Sequence, residues 1–127
     1  MDDTEPAEGD SYTHERTFTR EDVRRFAEIS GDSQPIHTEP DDRGRLVVQG
    51  LLTATLPTKI GGDLEVLASD MDLSFRRPVY TGQRVTCEWT TVAVEPVEGR
   101  ERDRILADVE CRAEGEVVLT AEIAGLV

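Results

Sequence analysis

One segment constrains the fold more than any other: GLLTATLPTKI, residues 50–60. Leu51, Leu52, Ala54, Leu56 and Ile60 fall on nearly every side of a helical wheel, with threonines between them. A helix that is apolar all round has no solvent face and must be buried on most sides. Pro57 lies inside it, which predicts a kink or an early end. Gly61-Gly62 is the predicted stop. The chain has 127 residues, 37% hydrophobic and 32% charged. A chain of that length buries roughly two-thirds of its unfolded surface around one core, so the cover for this helix has to come from the same domain.

The cover is legible downstream. Met71, Leu73 and Phe75 alternate with Asp72, Ser74 and Arg76. Val85, Cys87 and Trp89 alternate with Thr86, Glu88 and Thr90. Ile105, Ala107, Val109 and Cys111 form a third such row, and Val117, Leu119, Ala121 and Ile123 a fourth. Each run has one dominant apolar face, the pattern of an antiparallel sheet with one side solvated. Turns are predicted at 78–82, 96–99 and 114–115.

Upstream, residues 1–11 are acidic and turn-prone and read as a flexible tail to a single domain, 12–127. Tyr12 to Phe18 reads as a short strand. Thr19 then caps a helix with Glu21 and Asp22 in its first turn. Val23, Phe26, Ala27 and Ile29 give that helix an apolar face, and Gly31 stops it. Asp32 to Arg45 reads as a polar loop. An antiparallel sheet curled around one apolar helix satisfies both halves of the pattern. The class is α+β, in the shape of a hot-dog fold. One sheet face around one helix leaves an edge strand and helix ends uncovered, so a homodimer is expected.

Charge narrows the partners. Asp and Glu number 27 against 14 Lys and Arg, a net charge of -13, and Lys59 is the sole lysine. Nucleic acid and anionic membrane surfaces carry the same sign and are excluded as partners. There is no apolar stretch of bilayer length and no apolar leader segment, so the expected location is cytoplasmic. The acids are spread along the whole chain. Together with the near absence of lysine, this resembles the proteins of salt-accumulating halophiles, haloarchaea in particular; the alternative is an ordinary acidic protein with an acidic tail. At about 1 M salt the screening length falls to roughly 3 Å and self-repulsion is muted. Cys87 and Cys111 sit in strand alternation as small buried hydrophobes rather than as a disulfide framework. His14 and His37 are the only histidines, and no CxxC or HExxH spacing exists, so no metal site is expected.

The segment that can carry chemistry is FAEISGDSQPIH, residues 26–37. Asp32 and His37 lie five apart just after a helix stop, with Pro35 stiffening the turn and Ile36 as an apolar anchor. Brought to one side, the two groups can hold one water and pass protons to and from it. The other reading is structural: Asp32 caps the turn after Gly31, and His37 is a surface loop residue.

FAEISGDSQPIH, then VVQGLLTATL, then DLSFRRPVYTGQRVTCEWTTV together resemble the MaoC-like, (R)-specific enoyl-CoA hydratases, over about Phe18 to Val94. That family shows G-D-x-N-P-[apolar]-H, then V-H-G opening the central helix, then F-x-x-P-V-x-x-G-D. The resemblance implies reversible syn addition of water to trans-2-enoyl thioesters, with acyl-CoA as substrate and no cofactor. It implies that Asp32 and His37 are the acid/base pair and that the Gly50 N–H binds the thioester oxygen. Thr58 falls where the family often has a serine near the site; its alternative role is a bond to its own helix backbone. Gln34 stands in place of Asn and Gln49 in place of His, both at positions near the substrate. Gln83 replaces an Asp in a turn. A CoA substrate requires a local cationic patch, for which Arg76, Arg77 and Arg84 are candidates, with Arg43 and Arg45; pairing with neighbouring acids is the alternative. Leu51, Leu52, Leu56 and Trp89 are candidate walls of an acyl tunnel, or plain core. Two other functions fit the same fold. One is an acyl-CoA thioesterase, although Leu51 to Ile60 lacks the helix carboxylate that many of those use. The other is a non-catalytic acyl-thioester-binding subunit, which Gln34 and Gln49 would suit.

Overall fold

The computed structural model describes residues 5–127. Its elements are β1 (Ser11–Thr17), α1 (Arg20–Ser30), α2 (Pro35–Thr38), β2 (Val47–Val48), α3 (Gly50–Thr53), α4 (Thr55–Asp63), β3 (Leu67–Phe75), β4 (Val79–Tyr80), β5 (Arg84–Glu95), β6 (Arg104–Ala113) and β7 (Glu116–Leu126). A five-stranded sheet runs in the order β1-β5-β6-β7-β3, and every pairing is antiparallel. β2 and β4 form a separate two-stranded ladder. α4 packs against β1, β5 and β3, so the sheet wraps the apolar helix in the hot-dog arrangement.

The core follows from the alternation. Val85, Cys87 and Trp89, then Ile105, Ala107, Val109 and Cys111, then Leu119, Ala121 and Ile123 are buried. They meet Leu52, Leu56 and Ile60 from the helices and Leu64 just after α4. Trp89 is fully enclosed, and its indole N–H donates to Thr91 Oγ1 at 3.1 Å, which removes the cost of burying that donor. Cys87 and Cys111 stand opposite each other across β5 and β6 as free thiols. A hydrogen bond with Cys111, and then burial, push the Cys87 thiol up from its ordinary value.

α1 is held at both ends by local chemistry. The Thr19 hydroxyl accepts the Asp22 N–H at 3.1 Å, and the Asp22 carboxylate accepts the Thr19 N–H at 3.0 Å, a reciprocal cap. Gly31 ends the helix at φ 78, a conformation that favours glycine, and its N–H donates to Ala27 O.

Several expectations are corrected. Pro57 breaks the helix one turn upstream of itself: it has no N–H for the Thr53 carbonyl, so α3 ends at Thr53 and α4 begins at Thr55. Gly61-Gly62 does not stop α4, which runs to Asp63. Gly61 instead faces the core, where an added Cβ would stand 3.6 Å from the Trp89 ring. The segment is not buried on every side either: Leu51, Thr58 and Lys59 are exposed. Ile29 is 85% exposed, so the buried face of α1 rests on Val23 and Ala27, with Phe26 packed alongside. The polar loop contains one helical turn, α2, with Pro35 at its first position. The 78–82 turn contains strand β4. The apolar row of β3 reaches the core only at Leu73, which packs half-buried against it; Met71 is 42% and Phe75 54% exposed on this last strand of the sheet. Part of the tail expected over 1–11 lies outside the described residues. Within the rest, Pro6 is buried, Gly9 N–H donates to Thr91 O, and Thr91 N–H donates to Asp10 O, both at 2.8 Å.

Candidate active site

The left-handed Gly31 swings the chain out of α1, and the Asp32 N–H returns to the Ser30 hydroxyl at 3.1 Å. Two residues later Pro35 opens α2, and the His37 N–H donates to Gln34 O at 2.9 Å. This tight turn brings the two side chains together. His37 Nε2 lies 3.4 Å from Asp32 Oδ2. His37 is 5% exposed, whereas the Asp32 side chain keeps 42% of its surface open.

The imidazole is oriented from behind. Its Nδ1 lies 2.6 Å from the Val47 carbonyl oxygen. A carbonyl can only accept, so Nδ1 carries a hydrogen and Nε2 is the ring atom turned toward Asp32. Nε2 and the carboxylate face each other across 3.4 Å. That arrangement suits a shared proton or a water donating to both. The other Asp32 oxygen accepts from Gln34 Nε2 at 2.9 Å. Gln34 thus orients the carboxylate.

The pair opens on a cavity of about 620 Å³. Phe26, Val48, Leu51, Phe75, Val79 and Val118 give it apolar walls; Gln49, Gly50, Thr53, Arg76 and Arg77 complete the lining. Gly50 is the first residue of α3, where the backbone N–H groups have no carbonyl within their own helix. Phe75 lies over it: a Cβ on Gly50 would stand 2.6 Å from Phe75 Cε1 and 2.8 Å from Cδ1. Gln49 is buried and donates through Nε2 to Val23 O at 3.0 Å, tying α1 to the start of α3. Gln49 Oε1 is the one buried side-chain N or O atom among the described residues with no hydrogen-bond partner.

The remaining candidates divide. Arg76 and Arg77 reach the cavity rim. Arg76 Nε donates to Thr120 Oγ1 at 3.1 Å, and Arg77 Nε lies 3.4 Å from Glu116. Arg84 is at the start of β5, opposite Thr17 and off the cavity. Arg45 is bound by Asp41 and stacks on Tyr80 at 3.9 Å, also off the cavity. Arg43 meets Asp41 through its backbone N–H. The same backbone bonds, from Arg45 first, hold the Asp41 carboxyl below its ordinary range. Thr58 points to solvent and donates to Ala54 O at 2.9 Å, so it does not reach the site. The threonine on the wall is Thr53, one turn beyond Gly50, a spacing that places it on the same helix side. Of the candidate tunnel residues only Leu51 lines the cavity; Leu52, Leu56 and Trp89 are core.

Comparison with known proteins matches residues 3–110 to the MaoC like domain. The chain is 32% identical over 117 residues to a 3-hydroxybutyryl-CoA dehydratase of Methylorubrum extorquens, covering 84% of this chain and 71% of that protein. It is 26% identical over 130 residues to an (R)-specific enoyl-CoA hydratase of Rhodospirillum rubrum, covering 94% and 87%. It spans about half of a mitochondrial 3-hydroxyacyl-[acyl-carrier-protein] dehydratase of Arabidopsis thaliana, at 31% identity over 84 residues, 61% of this chain and 51% of that protein. A solved protein of Archaeoglobus fulgidus superposes with a TM-score of 0.81 at 28% identity, covering 97% of this chain and 80% of the other. With the family match spanning most of its length, on a sheet wrapped around an apolar helix, the chain belongs to the MaoC-like domain family of hydratases and dehydratases.

Proposed function

We propose that the protein is an (R)-specific enoyl-CoA hydratase working reversibly as a 3-hydroxyacyl-CoA dehydratase. The observation that carries this reading is the pairing of His37 Nε2 and Asp32 Oδ2 at 3.4 Å, with Nδ1 tied to Val47 O, on a cavity shared with Gly50. A water held by both groups loses a proton to the His37 lone pair as its oxygen attacks C3 of the enoyl thioester. Electron density moves from the double bond to the thioester oxygen, which the free N–H at Gly50 stabilises. C2 then takes a proton from the same Asp32–His37 pair. One water is consumed, and both additions fall on one face. Arg76 and Arg77 at the rim meet the CoA phosphates.

The working unit in this reading is a homodimer formed through β3. That edge exposes Leu67, Met71 and Phe75 and lacks a strand on one side. No helix among the described residues is long and apolar enough to cross a membrane. The proposed setting is the cytoplasm of a salt-accumulating cell, in keeping with the net charge of -13.

The test is crotonyl-CoA with purified protein, following loss of the enoyl absorbance and the chirality of the product. (R)-3-hydroxybutyryl-CoA is expected. Thiol release from a saturated acyl-CoA would reassign the protein as a thioesterase. Binding without turnover would make it a carrier of acyl thioesters.

A further inference from the structure

We propose that Phe75 selects the acyl group, closing the space beside the thioester carbonyl to any branch at C2; the inference rests on the hydratase reading above. The Phe75 ring comes so close to Gly50 that a single added carbon there would lie within 2.6–2.9 Å of three ring atoms. Whatever accepts a hydrogen bond from the Gly50 N–H within the cavity shares that space with the ring, which lines the same cavity. In a thioester the carbonyl carbon bears two substituents, sulfur and C2. Sulfur is common to every such substrate. A ring that sorts acyl groups beside the carbonyl therefore meets them on the acyl side, where C2 is the first atom.

The wall stands on a fixed base. Phe75 ends β3 opposite Leu119, and the next residue's N–H, that of Arg76, donates to Val118 O at 2.8 Å. The ring itself is 54% exposed, and its contact with Gly50 depends on that residue having no side chain. A straight acyl group passes with a CH2 at C2. A methyl branch there must displace the ring, and one misfitting carbon in a fitted pocket costs about tenfold or more in selectivity.

The experiment is calorimetric titration of the full chain with butyryl-CoA and 2-methylbutyryl-CoA. Both are saturated thioesters with a four-carbon main chain that differ only in the methyl at C2, and neither can be hydrated. The wild type is expected to bind butyryl-CoA about tenfold more tightly. F75A is expected to narrow the gap to about threefold or less, with F75L between them. Size-exclusion chromatography of each variant checks assembly; where F75A fails to fold or assemble, the F75L ratio decides. No preference in the wild type, or an unchanged ratio in the variants, overturns the role of Phe75 and leaves the hydratase reading standing. A wild type that binds neither thioester overturns both.

Discussion

His37 is gripped by a backbone oxygen rather than by a second acid: Val47 O holds Nδ1 at 2.6 Å, and Asp32 meets the opposite nitrogen at 3.4 Å. The two ring nitrogens therefore have separate duties, one fixing orientation and one facing the cavity. D32N and H37Q are each expected to lower the hydration rate by about 10²–10⁴-fold with an unchanged far-UV spectrum. Full activity in either variant would remove that residue from the mechanism.

α4 carries two glycines in its interior, and the surroundings of both admit a methyl group. A Cβ on Gly61 would make ordinary contact with Trp89 at 3.6 and 3.7 Å, and one on Gly62 would meet nothing within 4 Å. G61A and G62A are each expected to stabilise the protein by about 0.5–1 kcal/mol, since alanine loses less backbone entropy in a helix. Chemical denaturation measures this directly. A loss of stability in G61A would show that the Trp89 ring needs that space.

The N-terminal cap of α1 should govern stability in acid. The Thr19 backbone bond above all, aided by Arg16 at 3.1 Å, holds the Asp22 carboxyl below its ordinary range. A depressed folded-state pKa contributes stability above the unfolded value, about 4, and that contribution is lost as pH falls through the folded value. D22N is therefore expected to melt lower than wild type at pH 7, with the gap closing below about pH 4. T19A is expected to cost about 1 kcal/mol.

The outer sheet face sets like charges side by side. Asp72 faces Glu122, which faces Asp108 on its other side, and Glu88 faces Glu110. Directly opposed like charges destabilise a sheet until salt screens them. The melting temperature is expected to rise from dilute buffer to about 1 M KCl, and E122Q to reduce that slope. A protein equally stable at both concentrations would count against adaptation to salt.

The parts of the fold legible in the sequence are those decided by neighbours along the chain. Thr19, Asp22 and Gly31 bound α1 because capping is local, and Val85, Cys87 and Trp89 face inward because strand alternation is local. What was not legible depends on which element lies next in space. Met71 alternates like a core residue, yet among the described residues no further strand pairs with its edge, and Phe75 turns its ring onto Gly50 at the start of α3 instead. Gly61 reads as a stop until the Trp89 ring is seen beside it. At the site, the spacing of Asp32 and His37 was visible, but the carbonyl that orients the ring belongs to Val47, ten residues away. Thr58 and Thr53 could not be told apart before Pro57 was known to split the helix at Ala54.

The imidazole is tethered to the smallest sheet in the molecule. Val47 and Val48 make two rungs with Tyr80 and Val79, reinforced by the Leu46 N–H bond to the Thr81 hydroxyl and the Thr81 N–H bond to Leu46 O. A brief local opening there releases the ring from its anchor while the larger sheet stays closed. Warming would then silence turnover several degrees before the protein melts, and amides 46–48 would exchange with solvent deuterium sooner than those of β6.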